Sequence, residues 1–388
     1  MELREIVREC ERLYEDLELG SVRRWKEQNA GGRAVGYLPT YVPREILHAA
    51  GVLPVGILGA GEQLEIVRGD ACFQSYICHL PRSVMELGLS GRLDVLDGMI
   101  FPSTCDVIRN LSGIWKLQFP AKYARYFDVP QNFETAVGGA FYERVLRELV
   151  DDMGRLTGRP PKECELRRSI RLYNENRRLV RELYELRARE PWRVPASESY
   201  LVLRAGMVLP VEEHSQVLRE YLDEARAADR KMVDNARVVV TGAFCEQPPI
   251  TLIRTLERAG CYVVHDDFML VLRWLGDEVD DSDDPIGALR AAYLGYDEET
   301  SSRYVPDGQA KGAKLVEAVR ANGAEGVVFA APSFCDPALL DRPMLQRACD
   351  EAGISHTAFK YSENTGQLQP IREQAGTFAD TIKLWGEA

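Results

Sequence analysis

"GMIFPSTCD" occupies residues 98–106, and "GVVFAAPSFCD" occupies residues 326–336. Each opens on glycine, runs through apolar residues and closes on Pro-Ser-x-Cys-Asp, with the two cysteines 335 − 105 = 230 positions apart. A short uninterrupted apolar run is the pattern of a strand covered on both faces, as in a parallel sheet. Proline stops the run, and a cysteine follows just past its carboxyl end. Open α/β sheets place their working groups at that edge.

Outward from the first copy, "RAVGYLP" (33–39), "VLPVGILG" (52–59), "LDGMIFPS" (96–103) and "KYARYFDVPQ" (122–131) read as strands. Between them lie helical patterns: "YVPREILHAAG", starting near Pro43 and ended by Gly51, then "DACFQSYICHLPRSVMELGL" (70–89) and "CDVIRNLSGIWKL" (105–117). Strand alternating with helix predicts a parallel sheet flanked by helices. Residues 2–30 read as helix, and residues 136–232 as long charged helices. In "ECELRRSIRLYNENRRLVRELYELRARE" (163–190) Leu166, Ile170, Tyr173, Leu179, Leu183, Tyr184 and Leu186 recur at helical spacing, which predicts a bridging helix with one solvated face. Alternation resumes with "ARVVVTGAFCEQPPITLIRTLERAG" (236–260), "CYVVHDDF" (261–268), "EGVVFAAPS" (325–333) and "GISHTAFKYS" (353–362), followed by a terminal helix. The expected fold is α/β: two doubly wound parallel-sheet domains joined by a helical segment. Its expected divisions are 1–135, 136–232 and 233–388.

A chain of 388 residues, 45% hydrophobic, can bury two cores. Its formal charge of −12 argues against nucleic acid as a partner, because phosphate binding needs a basic surface. No apolar run approaches the ~18–20 residues of a membrane helix. The amino terminus "MELREIVRECERLYEDLELG" is an acidic amphipathic helix rather than a signal peptide, so a cytoplasmic protein is expected.

Nine cysteines without CxxC spacing suit neither a disulfide framework nor a zinc ribbon. The amino end of a helix supplies N–H groups and a positive dipole end that favour a thiolate. Cys105 and Cys335 both fall at strand-to-helix turns of that kind. Cys72 opens the 70–89 helix and is the natural third member. Cys78 lies six residues on, about 240° around a helix, so both cannot face one site. Cys245, also between a strand and a helix, is held in reserve, whereas Cys10, Cys164, Cys261 and Cys349 read as structural. Three thiolates without a histidine at matching spacing suit an iron–sulfur cluster better than zinc, and three ligands leave one iron open.

Other chemistries fall away. The chain has no G-x-x-x-x-G-K-[ST], and "GILGAG" (56–61) is not a dinucleotide fingerprint. "HDD" (265–267) reads as strand-end turn chemistry rather than a magnesium site, and no histidine pairs with a nucleophile in a recognisable triad. Glu246, Ser103 and Tyr41 lie at strand ends and are the candidates for facing a substrate.

The stretches "GYLPTYVPREILHAAGVLPVGILGAG" (36–61), "PSTCDVIRNLSGIWKL" with Cys72 upstream, "VVVTGAFCEQPPITLIRTLERAGCYVVHDD" (238–267) and "FCDP" (334–337) resemble the family of 2-hydroxyacyl-CoA dehydratase and benzoyl-CoA reductase subunits. Within it the length and the text around Cys105 look most like the smaller cluster-bearing subunits of ATP-dependent reductases. The resemblance implies a [4Fe–4S] cluster on Cys72, Cys105 and Cys335, a homologous cluster-bearing partner subunit, and separate ATPase subunits that deliver single electrons, with ferredoxin as the expected donor. It implies an aryl-CoA thioester substrate whose carbonyl accepts an electron to give a ketyl radical, on the way to a cyclic dienoyl-CoA. Dehydration of a 2-hydroxyacyl-CoA through the same radical is the alternative. A metal-free or zinc-bearing scaffold is a third reading, and iron with acid-labile sulfide in anaerobically purified protein separates it from both.

Overall fold

The computed structural model describes residues 1–38, 41–244, 246–268, 277–281, 283–296, 311–362 and 368–385. Among these, β1 (Arg33–Tyr37), β2 (Val52–Gly56), β3 (Gly98–Pro102) and β4 (Tyr123–Phe127) form one sheet in the order β2-β1-β3-β4. β5 (Ala236–Thr241), β6 (Cys261–Asp266), β7 (Gly326–Pro332) and β8 (Ser355–Tyr361) form a second in the order β6-β5-β7-β8. Every strand pair is parallel. The helices are α1 (Leu3–Glu15), α2 (Gly20–Gln28), α3 (Arg44–Ala49), α4 (His79–Leu89), α5 (Asp106–Gln118), α6 (Thr135–Thr157), α7 (Glu163–Arg189), α8 (Ala196–Ala205) and α9 (Val211–Ala227), then α10 (Ile250–Arg258), α11 (Pro285–Leu294), α12 (Ala313–Ala321), α13 (Asp336–Glu351) and α14 (Leu368–Trp385). The fold is α/β with two parallel-sheet domains.

The two sheets share one winding. The chain steps outward from β1 to β2, then crosses back over β1 to β3; β5, β6 and β7 repeat the step. A topological switch point therefore lies between β1 and β3 and again between β5 and β7. Each Pro-Ser-x-Cys-Asp leaves the strand beside its switch point, where crevices form at carboxyl ends.

The repeat is spelled by its neighbours. Gly98 pairs with Tyr123, and a Cβ there would stand 2.6 Å from the Tyr123 carbonyl oxygen. Gly326 pairs with Ser355, and its Cβ would stand 2.8 Å from Ile382 and Phe378 on α14. β1 pairs with β3 only as far as Ile100, so Pro102 lies beyond that ladder and its missing N–H costs no hydrogen bond there. Ser103 N–H then donates to Phe127 O at 2.9 Å and Ser333 N–H to Tyr361 O at 2.7 Å, the last rung of each edge.

The helical expectation for 2–30 is corrected at one point. The Asp16 carboxylate accepts from Glu18 N–H at 3.1 Å and Gly20 N–H at 2.7 Å, and Leu19 takes a left-handed φ of 52°. A short acidic side chain that bonds its own downstream backbone stops one helix and starts the next. The 70–89 helix is corrected more consequentially, since α4 begins only at His79. Residues Gly69–Cys72 form a single 3₁₀ turn instead. The Glu86 carboxylate holds it there by accepting from the N–H groups of Val67, Arg68 and Gly69 at 2.9, 2.6 and 2.8 Å.

Packing ties the sheets together. Phe244, Ala331, Cys335 and Ala338 from the second half share a core with Val55, Leu80, Val84, Phe101 and Leu111 of the first. α1, expected from its place in the sequence to belong with the first sheet, buries Ile6, Cys10 and Leu13 in the core of the second, and Glu11 pairs with Arg254 at 2.6 Å. α11 crosses in the other direction: Ile286, Leu289 and Tyr293 pack with Val35, Tyr37 and Tyr142.

Candidate metal-cluster site

Three cysteines occupy the residue immediately before a helix: Cys78 before α4, Cys105 before α5 and Cys335 before α13. The backbone carbonyls of Cys105 and Cys335 accept the first helical bonds, from Arg109 N–H at 3.1 Å and Leu339 N–H at 3.0 Å. Asp106 and Asp336 follow in the first turns, where a carboxylate complements the helix dipole. Cys78 and Cys335 are 6% and 4% exposed, whereas Cys105 is half-buried.

Burial pushes the Cys78 thiol far above its ordinary value, and the charge of Glu246 pushes it further the same way. Cys72 lies in the 3₁₀ turn, its Sγ 3.8 Å from Arg68 O, and packs half-buried against the same core as Cys105 and Cys335; its thiol is raised by burial and then by Glu86. The helix start expected at Cys72 belongs to Cys78. The 240° separation that set the two cysteines against each other applies only inside one helix, and Cys72 and Cys78 do not share one. Pro81 carried the signal: proline is tolerated in a first helical turn and disrupts an interior, so a helix through 70–89 is disfavoured and one starting at His79 is allowed.

Each strand-end candidate has a partner within the chain. Glu246 is buried, and its Oε2 accepts from His79 N–H at 3.0 Å and Leu80 N–H at 3.3 Å. Ser103 Oγ accepts from Val129 N–H at 2.8 Å, tying the end of β3 to the segment after β4. Tyr41 is buried edge-on against Tyr293 with a left-handed φ of 59°. Cys245 lies outside the described residues. Asp266 is used by Arg187 Nη2 at 2.6 Å and Tyr184 Oη at 2.9 Å, and Asp267 accepts from Thr241 Oγ1 and Gly242 N–H. Burial lifts the Cys10 and Cys261 thiols to about 12 and Cys349 to about 11, which leaves them as inert core residues.

Among the described residues no three His, Cys, Asp or Glu side chains are gathered as tightly as a single metal ion requires. A [4Fe–4S] core spreads its cysteine sulfurs roughly 6–7 Å apart, given iron–sulfur bonds of about 2.3 Å. The helix N-termini at Cys105 and Cys335 suit the thiolate form that a metal centre would need.

Residues 39–382 match the family described as 2-hydroxyglutaryl-CoA dehydratase, D-component. The chain belongs to this family. A benzoyl-CoA reductase subunit of Thauera aromatica is 55% identical over 385 residues, covering 99% of this chain and all of the relative. The (R)-phenyllactyl-CoA dehydratase beta subunit of Clostridium sporogenes is 25% identical over 355 residues, 92% of this chain and 93% of its own. The (R)-2-hydroxyglutaryl-CoA dehydratase beta subunit of Acidaminococcus fermentans is 28% identical over 362 residues, 92% and 94% respectively. The relatives of this dehydratase D-component family are thus named as subunits of two kinds of acyl-CoA enzyme. Among the described residues no helix is long and apolar enough to cross a membrane.

Proposed function

We propose that this chain is the iron–sulfur subunit of an ATP-dependent benzoyl-CoA reductase, an oxidoreductase component that works with a homologous partner subunit in the cytoplasm under anaerobic conditions. The observation that supports the cluster reading is the placement of Cys105 and Cys335 at matching strand-to-helix turns of the two sheets, with Cys72 packed against the same core. Reductase is favoured over dehydratase by 55% identity to the reductase subunit against 25% and 28% to the dehydratase subunits.

Cys105 and Cys335 would supply two ligands of a [4Fe–4S] cluster. Cys72 is the third ligand that the family resemblance implies, half-buried against the same core as the other two; Cys78, at the start of α4, is the alternative. A cluster bound there would supply electrons one at a time. Of these residues Cys335 is buried, and Cys72 and Cys105 are half-buried. Exclusion of water strengthens every charge interaction with the acceptor, which favours an aryl-CoA thioester whose carbonyl oxygen gains negative charge. Tyr76, two residues before Cys78, is 62% exposed, and Phe334, directly before Cys335, is 53% exposed with a left-handed φ of 64°. Exposed aromatic rings beside a site suit burial by a partner chain. The sequence lacks a phosphate-binding loop, so coupling to ATP falls to separate ATPase subunits, with ferredoxin as the proposed electron donor.

The test is iron content and turnover in the complete, anaerobically purified complex. Iron and acid-labile sulfide of about four each per cluster, with benzoyl-CoA reduction that consumes ATP stoichiometrically, are expected. Cys72→Ala, Cys105→Ala and Cys335→Ala should each strip the iron, and Cys10→Ala and Cys349→Ala should keep it. Iron kept in Cys72→Ala and lost from Cys78→Ala would move the third ligand to Cys78. Zinc or no metal in the wild-type chain would end the cluster reading, and turnover of a 2-hydroxyacyl-CoA without stoichiometric ATP would favour the dehydratase.

A further inference from the structure

Cys105 and Cys335 are placed by their own elements, each between the end of a strand and the start of a helix. Cys72 has no such support: its 3₁₀ turn, Gly69–Cys72, is four residues long and no side chain caps it. What holds the turn comes from α4, where two stripes at helical spacing face opposite ways. Leu80, Val84 and Leu87 pack in the core that also receives Cys335, Cys105 and Cys72. Arg82, Glu86 and Leu89, about 200° around the helix from them, hold the turn. Glu86 is 6% exposed, and its Oε2 alone accepts from the N–H groups of Val67, Arg68 and Gly69 at 2.9, 2.6 and 2.8 Å. Arg82 Nη1 donates to Asp70 Oδ1 at 2.9 Å, and Arg68 Nη1 donates to Leu89 O at 2.9 Å. Gly69 lies so close to α4 that a Cβ would stand 2.1 Å from Arg82 O. The Arg82–Asp70 pair is exposed to solvent and contributes little. Three N–H groups bonded to one buried oxygen are costly to leave unmet, so Glu86 is the tie that counts.

We propose that Glu86 is the positioning residue for Cys72: by gathering the three N–H groups at the head of the 3₁₀ turn, it holds the Cys72 sulfur in register with Cys105 and Cys335 before iron arrives. The inference rests on the cluster reading above, with Cys72 as the third ligand. The route from Glu86 to the other two cysteines is short. α4 shares its core with Ile108 and Leu111 of α5, which follows Cys105, and with Ala338 of α13, which follows Cys335. A turn tied to α4 therefore keeps a fixed place relative to both. A ligand already in place loses little freedom when the metal binds, whereas a loose one regains that freedom whenever its bond opens.

The experiment is iron release to a chelator from the anaerobically loaded complex, with pulse alkylation of its cysteines read by mass spectrometry, for the wild type, Glu86→Ala and Glu86→Gln. Iron-bound thiolates resist alkylation, so the pulse reports which sulfur lets go first. Glu86→Ala should release iron about tenfold faster than the wild type, with Cys72 alkylated ahead of Cys105 and Cys335. The glutamine amide oxygen can accept the same N–H groups, so Glu86→Gln should stay within about threefold of the wild type. Unchanged release from Glu86→Ala, equal alkylation of the three cysteines in it, or a Glu86→Gln variant no better than Glu86→Ala would overturn the proposal. If Glu86→Ala takes up no iron, hydrogen exchange in its iron-free form decides. A rise confined to residues 64–78 supports the positioning role, and a rise that also spans β3 and α5 overturns it. Failure of this inference alone leaves a loaded wild type with Cys72 protected. A loaded wild type in which Cys72 is freely alkylated would remove it as a ligand and the inference with it, and a wild-type complex without iron would end the cluster reading itself.

Discussion

His214 shows how single side chains set the acid limit of the molecule. It is 2% exposed, its Nδ1 lies 3.0 Å from Asn176 Nδ2, and its Nε2 lies 3.0 Å from Val202 O. An amide donor on one nitrogen and a carbonyl acceptor on the other fix the neutral ring with its proton on Nε2. Burial depresses its pKa from 6.5 to about 4, and burial does the same to His265, also to about 4. The unfolded chain takes up these protons near pH 6.5 and the folded chain only near pH 4. Stability is therefore complete above about pH 6.5 and falls as pH drops toward 4, by up to about 3 kcal/mol for each histidine. Urea midpoints measured from pH 7.5 to 4.5 should show this loss. A flat profile down to pH 5 would contradict the neutral buried rings.

At the scale of elements, the glycines that open the two repeats make the sharpest prediction. Gly98→Ala forces a Cβ against the backbone of β4, and Gly326→Ala forces one against α14 and β8. Neither neighbour can yield by a side-chain rotation alone, because each includes a backbone carbonyl. Each variant should lose about 1–3 kcal/mol, the usual cost of overpacking, visible as a lower melting temperature. Wild-type stability in both would mean the edge strands are not held as described. The same repeats explain what is legible. β3 and β7 follow from apolar runs stopped by proline, and the cysteines after them follow from strand-to-helix order. The start of α4 is hidden because "DACFQSYICHLPRS" carries apolar residues before the true start, and Glu86, which holds the 3₁₀ turn, lies 14 residues beyond Cys72. A side chain that folds back over such a span leaves no local periodicity, although Pro81 does leave a mark.

For the whole molecule, eight apolar runs announce eight strands among the described residues, in two sheets of identical order. Sequence order cannot announce the exchange of helices between them. α1 packs with the second sheet and α11 with the first, because long-range burial decides where an amphipathic helix docks. Glu246 is legible as a strand-end residue, but its bond to α4 spans 167 residues. Such interlocking makes the cluster a proposed clamp: in iron-free protein, hydrogen exchange near 98–106 and 326–336 should rise together, and a rise in one alone would contradict it. The most direct measurement is anomalous diffraction at the iron edge from anaerobic crystals of the complex. One iron centre is predicted in this chain, with sulfurs of Cys72, Cys105 and Cys335 at about 2.3 Å from its iron atoms. An iron centre touching only one of Cys105 and Cys335, or neither, would contradict it.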